Sequence, residues 1–231
     1  MRPAAGRAHR WCLAASGIVP RLSGHHASRH ETPPRMTTAA AAPAEATAIR
    51  KFLRGVFAED WRDALWTGFT GDPRGRARGD WAGWDLGRLL VPEIPRMPPT
   101  ARMNMYFCPS LVTGRDRCLA GFRSFHVVVY DDYGTGKVPA GAPERLLGTP
   151  SYMIETSPGN FQAGWVLDPP MRELARVRRM LARLKEILPG DNLDNPVAWR
   201  RLPCGINGKP EYLNNLGREW RVQAKGRPTW T

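Results

Sequence analysis

Three clusters of side chains in the C-terminal half carry residue types and spacings that could do chemistry. The first is Asp131-Asp132, directly after the apolar run Phe125-His126-Val127-Val128-Val129-Tyr130. Side chains emerge where a buried strand ends, and two carboxylates there can share a divalent cation, Mg²⁺ being held by one or two carboxylates plus substrate phosphates. Asp ahead of Gly134 is equally a turn signal. The second cluster is Glu155-Thr156-Ser157-Pro158-Gly159-Asn160-Phe161-Gln162. It is a polar turn whose glycine lets backbone N–H groups approach an anion and whose Ser, Asn and Gln side chains can bond phosphate or base. The third is Trp199-Arg200-Arg201-Leu202-Pro203-Cys204-Gly205-Ile206-Asn207-Gly208-Lys209, with Asp191 and Asp194 upstream. Its cations bracket a Pro/Gly loop that can grip a triphosphate, and the upstream acid could complete a metal site.

These clusters need elements to hold them. Phe125 to Tyr130 has no polar alternation, which predicts a strand covered on both faces. Tyr152 to Glu155 and Phe161 to Leu167 predict two further strands, joined by the Pro-Gly-Asn turn as a hairpin. Met171 to Leu188 predicts a helix ended by Pro189-Gly190. On it Leu174, Val177, Leu181, Leu184 and Leu188 form one side, and Arg172, Arg176, Arg179 and Arg183 a stripe on the other. That stripe reads as solvated surface or as a face toward nucleic acid. Upstream, Ile49, Phe52, Leu53, Val56 and Phe57 recur at helical intervals between Glu45 and Phe57. Residues 68 to 100 hold six glycines and five prolines, a composition of loops and short strands. Trp81 and Trp84 within them pin a loop to the core or stack on bases.

The three clusters together resemble the plasmid- and phage-type replication-protein (RepB-like) primases of the archaeo-eukaryotic primase superfamily. The resemblance covers roughly residues 104 to 210, with Asn104-Met105-Tyr106-Phe107 as a leading strand. It is carried by VVVYDD, ETSPGNFQ and RRLPCGINGK in this order. It implies an α+β fold with a small RRM-like antiparallel or mixed catalytic sheet flanked by helices. It also implies template-directed nucleotidyl transfer with Mg²⁺ or Mn²⁺. Position by position, Asp131 and Asp132 match the first metal-binding motif, and Asp191, with Asp194 as the alternative, matches the third motif's acid. Ser157, Asn160 and Gln162 match the nucleotide-binding turn; Arg201, Asn207 and Lys209 match the phosphate-contacting positions. Two features depart from the pattern. The family's first motif spaces its acids two apart, so adjacent acids require the strand to end and turn. Gln162 stands where the second motif has a histidine. A catalytically weak DNA-binding replication protein on the same fold is the alternative reading.

Composition bounds this reading. The chain has 231 residues, 42% hydrophobic and 24% charged, with a formal net charge of +13. It can bury a core, and its basicity makes a polyanion the first partner to test. No apolar run approaches the roughly 20 residues of a membrane-spanning helix. Cys12, Cys108, Cys118 and Cys204 lack zinc-site or CxxC spacing and read as reduced cytosolic thiols. Residues 1 to 35 carry six arginines and one acid, and four of the five histidines, His9, His25, His26 and His30. Residues 1–43 read as a disordered basic tail, either an Arg-rich transit peptide or an over-extended start ahead of Met36. Residues 44–220 would form the catalytic domain and 221–231 a C-terminal tail. There is no GxxxxGK[ST] sequence. The resemblance implies single-stranded DNA and nucleoside triphosphates as partners and, with no helicase motif in the chain, a separate replicative helicase, in the cytoplasm of a bacterial or phage-infected cell. A rolling-circle nickase would need a strand-borne histidine pair, which His25-His26 does not provide.

Overall fold

A computed structural model describes residues 41–75, 84–85, 103–114, 116–212, 220–221 and 223–225. Residues 1–40 of the basic tail, with Cys12 and the four tail histidines, and Trp81 lie outside the described residues, while residues 41–43 of that tail open the first helix. The chain folds as α+β, as expected.

The centre is a five-stranded antiparallel sheet in the order β11-β6-β7-β5-β4. Its strands are β4 (Ser110–Val112), β5 (Phe122–Tyr133), β6 (Tyr152–Ser157), β7 (Asn160–Met171) and β11 (Gln223–Lys225). The continuous apolar run makes β5 the inner strand. Val127 and Val129 enter one core cluster, while Val128 and Tyr130 enter another on the opposite face. This is the two-sided burial that the absence of alternation predicts.

Each face is covered by one of the expected helices. Helix α1 (Ala41–Phe57) places Ile49, Phe52, Leu53, Val56 and Phe57 against Val127, Val129 and Ile154. Full burial of such side chains is worth about 1.5–3 kcal/mol each. Trp66, Met105 and Phe107 join this core from a second antiparallel sheet, β2-β1-β3-β8. That sheet is formed by β1 (Leu65–Phe69), β2 (Trp84–Asp85), β3 (Asn104–Phe107) and β8 (Arg200–Arg201). Helix α3 (Leu174–Ile187) covers the other face through Val177, Leu181 and Leu184. A short helix α2 (Glu144–Leu147) and the pair β9 (Ile206–Asn207) and β10 (Trp220–Arg221) complete the order.

Element ends differ from the sequence reading in three informative places. The first helix begins at Ala41, not Glu45. Strand β7 runs on to Met171, where it pairs with Phe125, so α3 starts at Leu174 and Arg172 is not on the helix. The arginine stripe is thus Arg176, Arg179 and Arg183, all exposed. Strand β5 does not end at Tyr130 but continues through both aspartates to Tyr133.

Candidate active-site cleft

Adjacent acids on a regular strand point to opposite faces, and here a bulge changes that. Tyr130 pairs with Ala163 and Tyr133 with Phe161. Asp131 and Asp132 therefore oppose the single residue Gln162, the two-against-one count of a β-bulge. Asp132 takes a left-handed φ of 57°, a conformation that Asp tolerates better than most residues. Both carboxylates consequently line one open cleft of about 230 Å³.

The β6–β7 hairpin forms the next wall. Ser157 pairs with Asn160 across the two-residue turn Pro158-Gly159, and Gly159 has φ +70°, the left-handed position that Pro-Gly turns need. Ser157, Asn160 and Gln162 all line the cleft. Asn160 donates from Nδ2 to Asp132 Oδ1 at 2.9 Å, while its own Oδ1 is buried without a partner.

The RRLPCGINGK segment closes the site. Arg201 on β8 is buried, and donates to Asn104 Oδ1 at 3.0 Å, Ile206 O at 2.9 Å and Asn207 Oδ1 at 3.1 Å. Its guanidinium lies 4.3 Å from the Tyr106 ring centroid, a favourable cation–π geometry. Gln162 accepts from Arg201 N–H at 2.7 Å and donates to Arg201 O at 3.0 Å. Asn207 donates to Thr156 O at 2.9 Å. Gln162 and Asn207 stitch the loop to the hairpin, and the Arg201 side chain ties the loop to β3 and to itself. Gly205, at φ +80°, would place a β-carbon 2.3 Å from Met103 O, so only glycine fits there. Lys209 lines the same cleft, its ammonium 5.8 Å from the Tyr212 ring.

Of the two candidates for the third acid, one lies in the cleft. Asp191 lines the cleft. Asp194 faces α3 instead and pairs with Lys185 at 2.9 Å, whose hydrogen bond holds its carboxyl below the usual range. Asp194 is therefore absent from the metal candidates that the cleft assembles.

Each cleft carboxylate already has a cationic partner from the chain. Asp131 is ion-paired to Arg200 Nη1, and Arg200, 3% exposed, also donates to Asn192 O at 2.9 Å and Asp191 O at 3.3 Å. Lys137 Nζ bridges Asp132 Oδ2 at 3.3 Å and Asp191 Oδ2. The two neighbouring aspartates are driven apart electrostatically. Burial raises the Asp131 carboxyl, and Arg200 only partly offsets it. Burial also acts to raise Asp132, but hydrogen bonds from Asn160 and Lys137 outweigh it and leave that carboxyl lowered.

Sequence reasoning passed over several of these groups. Lys137 follows the first motif and Arg200 stands in the third, where it reads as a triphosphate-gripping cation; nothing in their spacing reveals that they pair with the acids. Asn104, fully buried, bonds Phe69 O, Gly71 O, Arg201 and Gly208 N–H, and polarity within an otherwise apolar strand was its one signal. Trp199 lines the cleft with its indole N–H buried and unpartnered, and Arg117 lies 5.3 Å over its ring.

The donors suit a hard divalent cation. Asp132 and Asp191 offer carboxylate oxygens, the orphaned Asn160 Oδ1 a carbonyl oxygen, and an ammonium already stands between the two acids. Oxygen-only sets of this kind favour Mg²⁺ or Mn²⁺. Among the described residues no three His, Cys, Asp or Glu side chains form a metal-binding group.

No family model and no curated protein matches the chain. Solved structures do. The chain is similar to primase RepB', with 17% identity over 79% of this chain and 56% of that one, at a TM-score of 0.52. It is similar, with the same identity, share of this chain and score, to the catalytic domain of primase RepB' in complex with initiator DNA, of which it covers 85%. It also matches the AEP domain of the cyanophage S-2L primase-polymerase, at 16% identity over 80% of this chain and 88% of that one, with a TM-score of 0.48. The chain therefore shares the fold of primase RepB'.

Proposed function

We propose that the protein is a primase or primase-polymerase of phage or plasmid replication, catalysing metal-dependent, template-directed nucleotidyl transfer. The observation that carries this reading is the convergence of Asp131, Asp132 and Asp191 with the Ser157–Asn160 turn and Lys209 around one open cleft, on a fold shared with primases.

In this reading Asp132 and Asp191 hold Mg²⁺ or Mn²⁺, with the Asn160 carbonyl beside them and Asp131 behind. The bound cation would stabilise negative charge on the transferred phosphoryl group and the departing pyrophosphate. The chain's own residues do the rest. Arg200 fixes Asp131 and the backbone at Asp191 and Asn192, so the acids are held before substrate arrives. The Pro158-Gly159 turn presents Ser157 to the triphosphate, its Gly159 N–H being held by Glu155 Oε1, and Lys209 supplies a positive charge to it. Gln162, Arg201 and Asn207 keep the hairpin and the glycine loop in register rather than meeting phosphate themselves. Template DNA would follow the exposed arginines of α3, and a separate helicase would supply single strands in the cytoplasm.

Primer synthesis on single-stranded DNA with labelled nucleotides tests the proposal. Wild-type protein with Mn²⁺ should extend products that Asp132→Ala plus Asp191→Ala does not. Equal product from both would refute it.

The pairing of every cleft acid with an internal cation favours a second reading, a DNA-binding replication protein whose cleft takes no metal. It predicts salt-dependent DNA binding without Mn²⁺-dependent triphosphate binding, which calorimetry separates.

A further inference from the structure

The two internal cations of the cleft are built differently. Arg200 is 3% exposed and tied to three acceptors on two segments; it cannot leave without unfolding its surroundings. The Lys137 side chain is 47% exposed, and its two partners, Asp132 and Asp191, are 30% and 55% exposed. Its backbone is fixed and its ammonium is not. Gly134 N–H donates to Val138 O at 2.8 Å, Thr135 Oγ1 donates to Asp132 O at 2.6 Å, and Lys137 N–H donates to Thr135 Oγ1 at 3.2 Å. The loop after the bulge thus holds the base of a flexible four-carbon stem close to both acids. A lysine ammonium is a compact, strongly hydrated point charge, so its withdrawal into water is cheap. Exposed pairs of this kind are worth about 0.2–1 kcal/mol.

We propose that Lys137 is a resident counter-ion of the cleft: it neutralises Asp132 and Asp191 in the metal-free protein, is displaced when a divalent cation binds, and thereby sets the affinity of the site. The inference rests on the metal reading of the cleft given above. It explains how two carboxylates stay together without metal, and it makes cation binding an exchange of one charge for another. Arg200 keeps Asp131 out of that exchange.

Mn²⁺ binding, followed by calorimetry and by the electron paramagnetic signal of free Mn²⁺, tests this without reference to activity. Lys137→Met should bind Mn²⁺ roughly two- to thirtyfold more tightly, from two exposed pairs lost at about 1.4 kcal/mol per tenfold. Lys137→Arg, which keeps the charge, should stay near wild type. In the wild-type protein, Mn²⁺ should raise the reactivity of the Lys137 amine in reductive methylation read by mass spectrometry. Unfolding midpoints of the variants identify any that fail to fold, and the methylation readout uses wild type alone. Equal Mn²⁺ affinity in wild type and Lys137→Met, or unchanged amine reactivity, overturns the proposal and leaves the metal reading standing. Absence of Mn²⁺ binding in every variant overturns the metal reading and this proposal with it.

Discussion

Arg200 is the residue on which the arrangement of the acids depends most, and its removal gives a quantitative test. In Arg200→Met the Asp131 carboxylate loses its ion pair, and Asp191 O and Asn192 O lose their donors. Breaking one side of a buried pair costs about 3–5 kcal/mol. Asp131 retains 31% side-chain exposure, and the two carbonyls belong to exposed residues that water can reach. The expected loss is therefore at the lower end, about 3 kcal/mol. In an Asp131→Asn background the carboxylate charge is already gone, and the same substitution should cost about 1–2 kcal/mol less. Urea unfolding at pH 7 of wild type, both single variants and the double variant, followed by tryptophan fluorescence, yields the coupling energy directly. A coupling below about 0.5 kcal/mol would refute the assignment of Arg200 as the partner of Asp131. It would also remove the reason for treating Asp132 and Asp191 as the pair free to exchange cations.

Gln162→Ala removes one donor and one acceptor from the Arg201 backbone and should cost about 2 kcal/mol at about 1 kcal/mol per buried bond; a loss under about 0.5 kcal/mol in urea melts would show that the tie does not exist. His126, 3% exposed and hydrogen-bonded to Ser124, is pushed by burial from 6.5 down to about 4. The unfolded chain then binds a proton that the folded one refuses, so stability is full above pH 6.5 and falls as pH drops toward 4. Between pH 7.5 and 5 the loss should be about 2 kcal/mol, and a flat profile in that window would contradict the buried neutral imidazole. Replacing Arg176, Arg179 and Arg183 together by Gln should lower the salt slope of single-stranded DNA binding by roughly two, at about 0.7 per phosphate contact. An unchanged slope would make that face ordinary solvated surface.

The parts of the fold carried by periodicity were legible from sequence. The apolar runs of α1, β5 and α3 specify burial by themselves, and the Pro-Gly turn specifies the β6–β7 hairpin. The limits of α3 were not, because Met171 continues an apolar pattern equally well as strand or helix. Only its pairing with Phe125 across the sheet decides for strand. The cleft was legible as a list of residues and not as a set of bonds. Gln162, Arg201 and Asn207 have side chains that suit a phosphate, and nothing local reveals that each is used on a backbone group or on another side chain up to 97 positions away.

The adjacency of Asp131 and Asp132 shows how a departure from a spacing rule can be structurally sufficient. Acids two apart share a face of a strand without further help. Adjacent acids need an extra residue in the ladder, and the bulge opposite Gln162 supplies it at the cost of a left-handed Asp132, about 1–2 kcal/mol for a non-glycine residue. That cost is offset locally. The Asp132 carbonyl accepts from Thr135 Oγ1, and its carboxylate accepts from Asn160 and Lys137. The bulge also separates the two acids by environment. Asp131 turns toward the buried Arg200 and becomes part of the frame, whereas Asp132 turns toward the half-exposed Lys137 and stays open to exchange. Two acids side by side in sequence therefore do different work, one fixing the β8 loop and the other facing whatever cation the cleft receives.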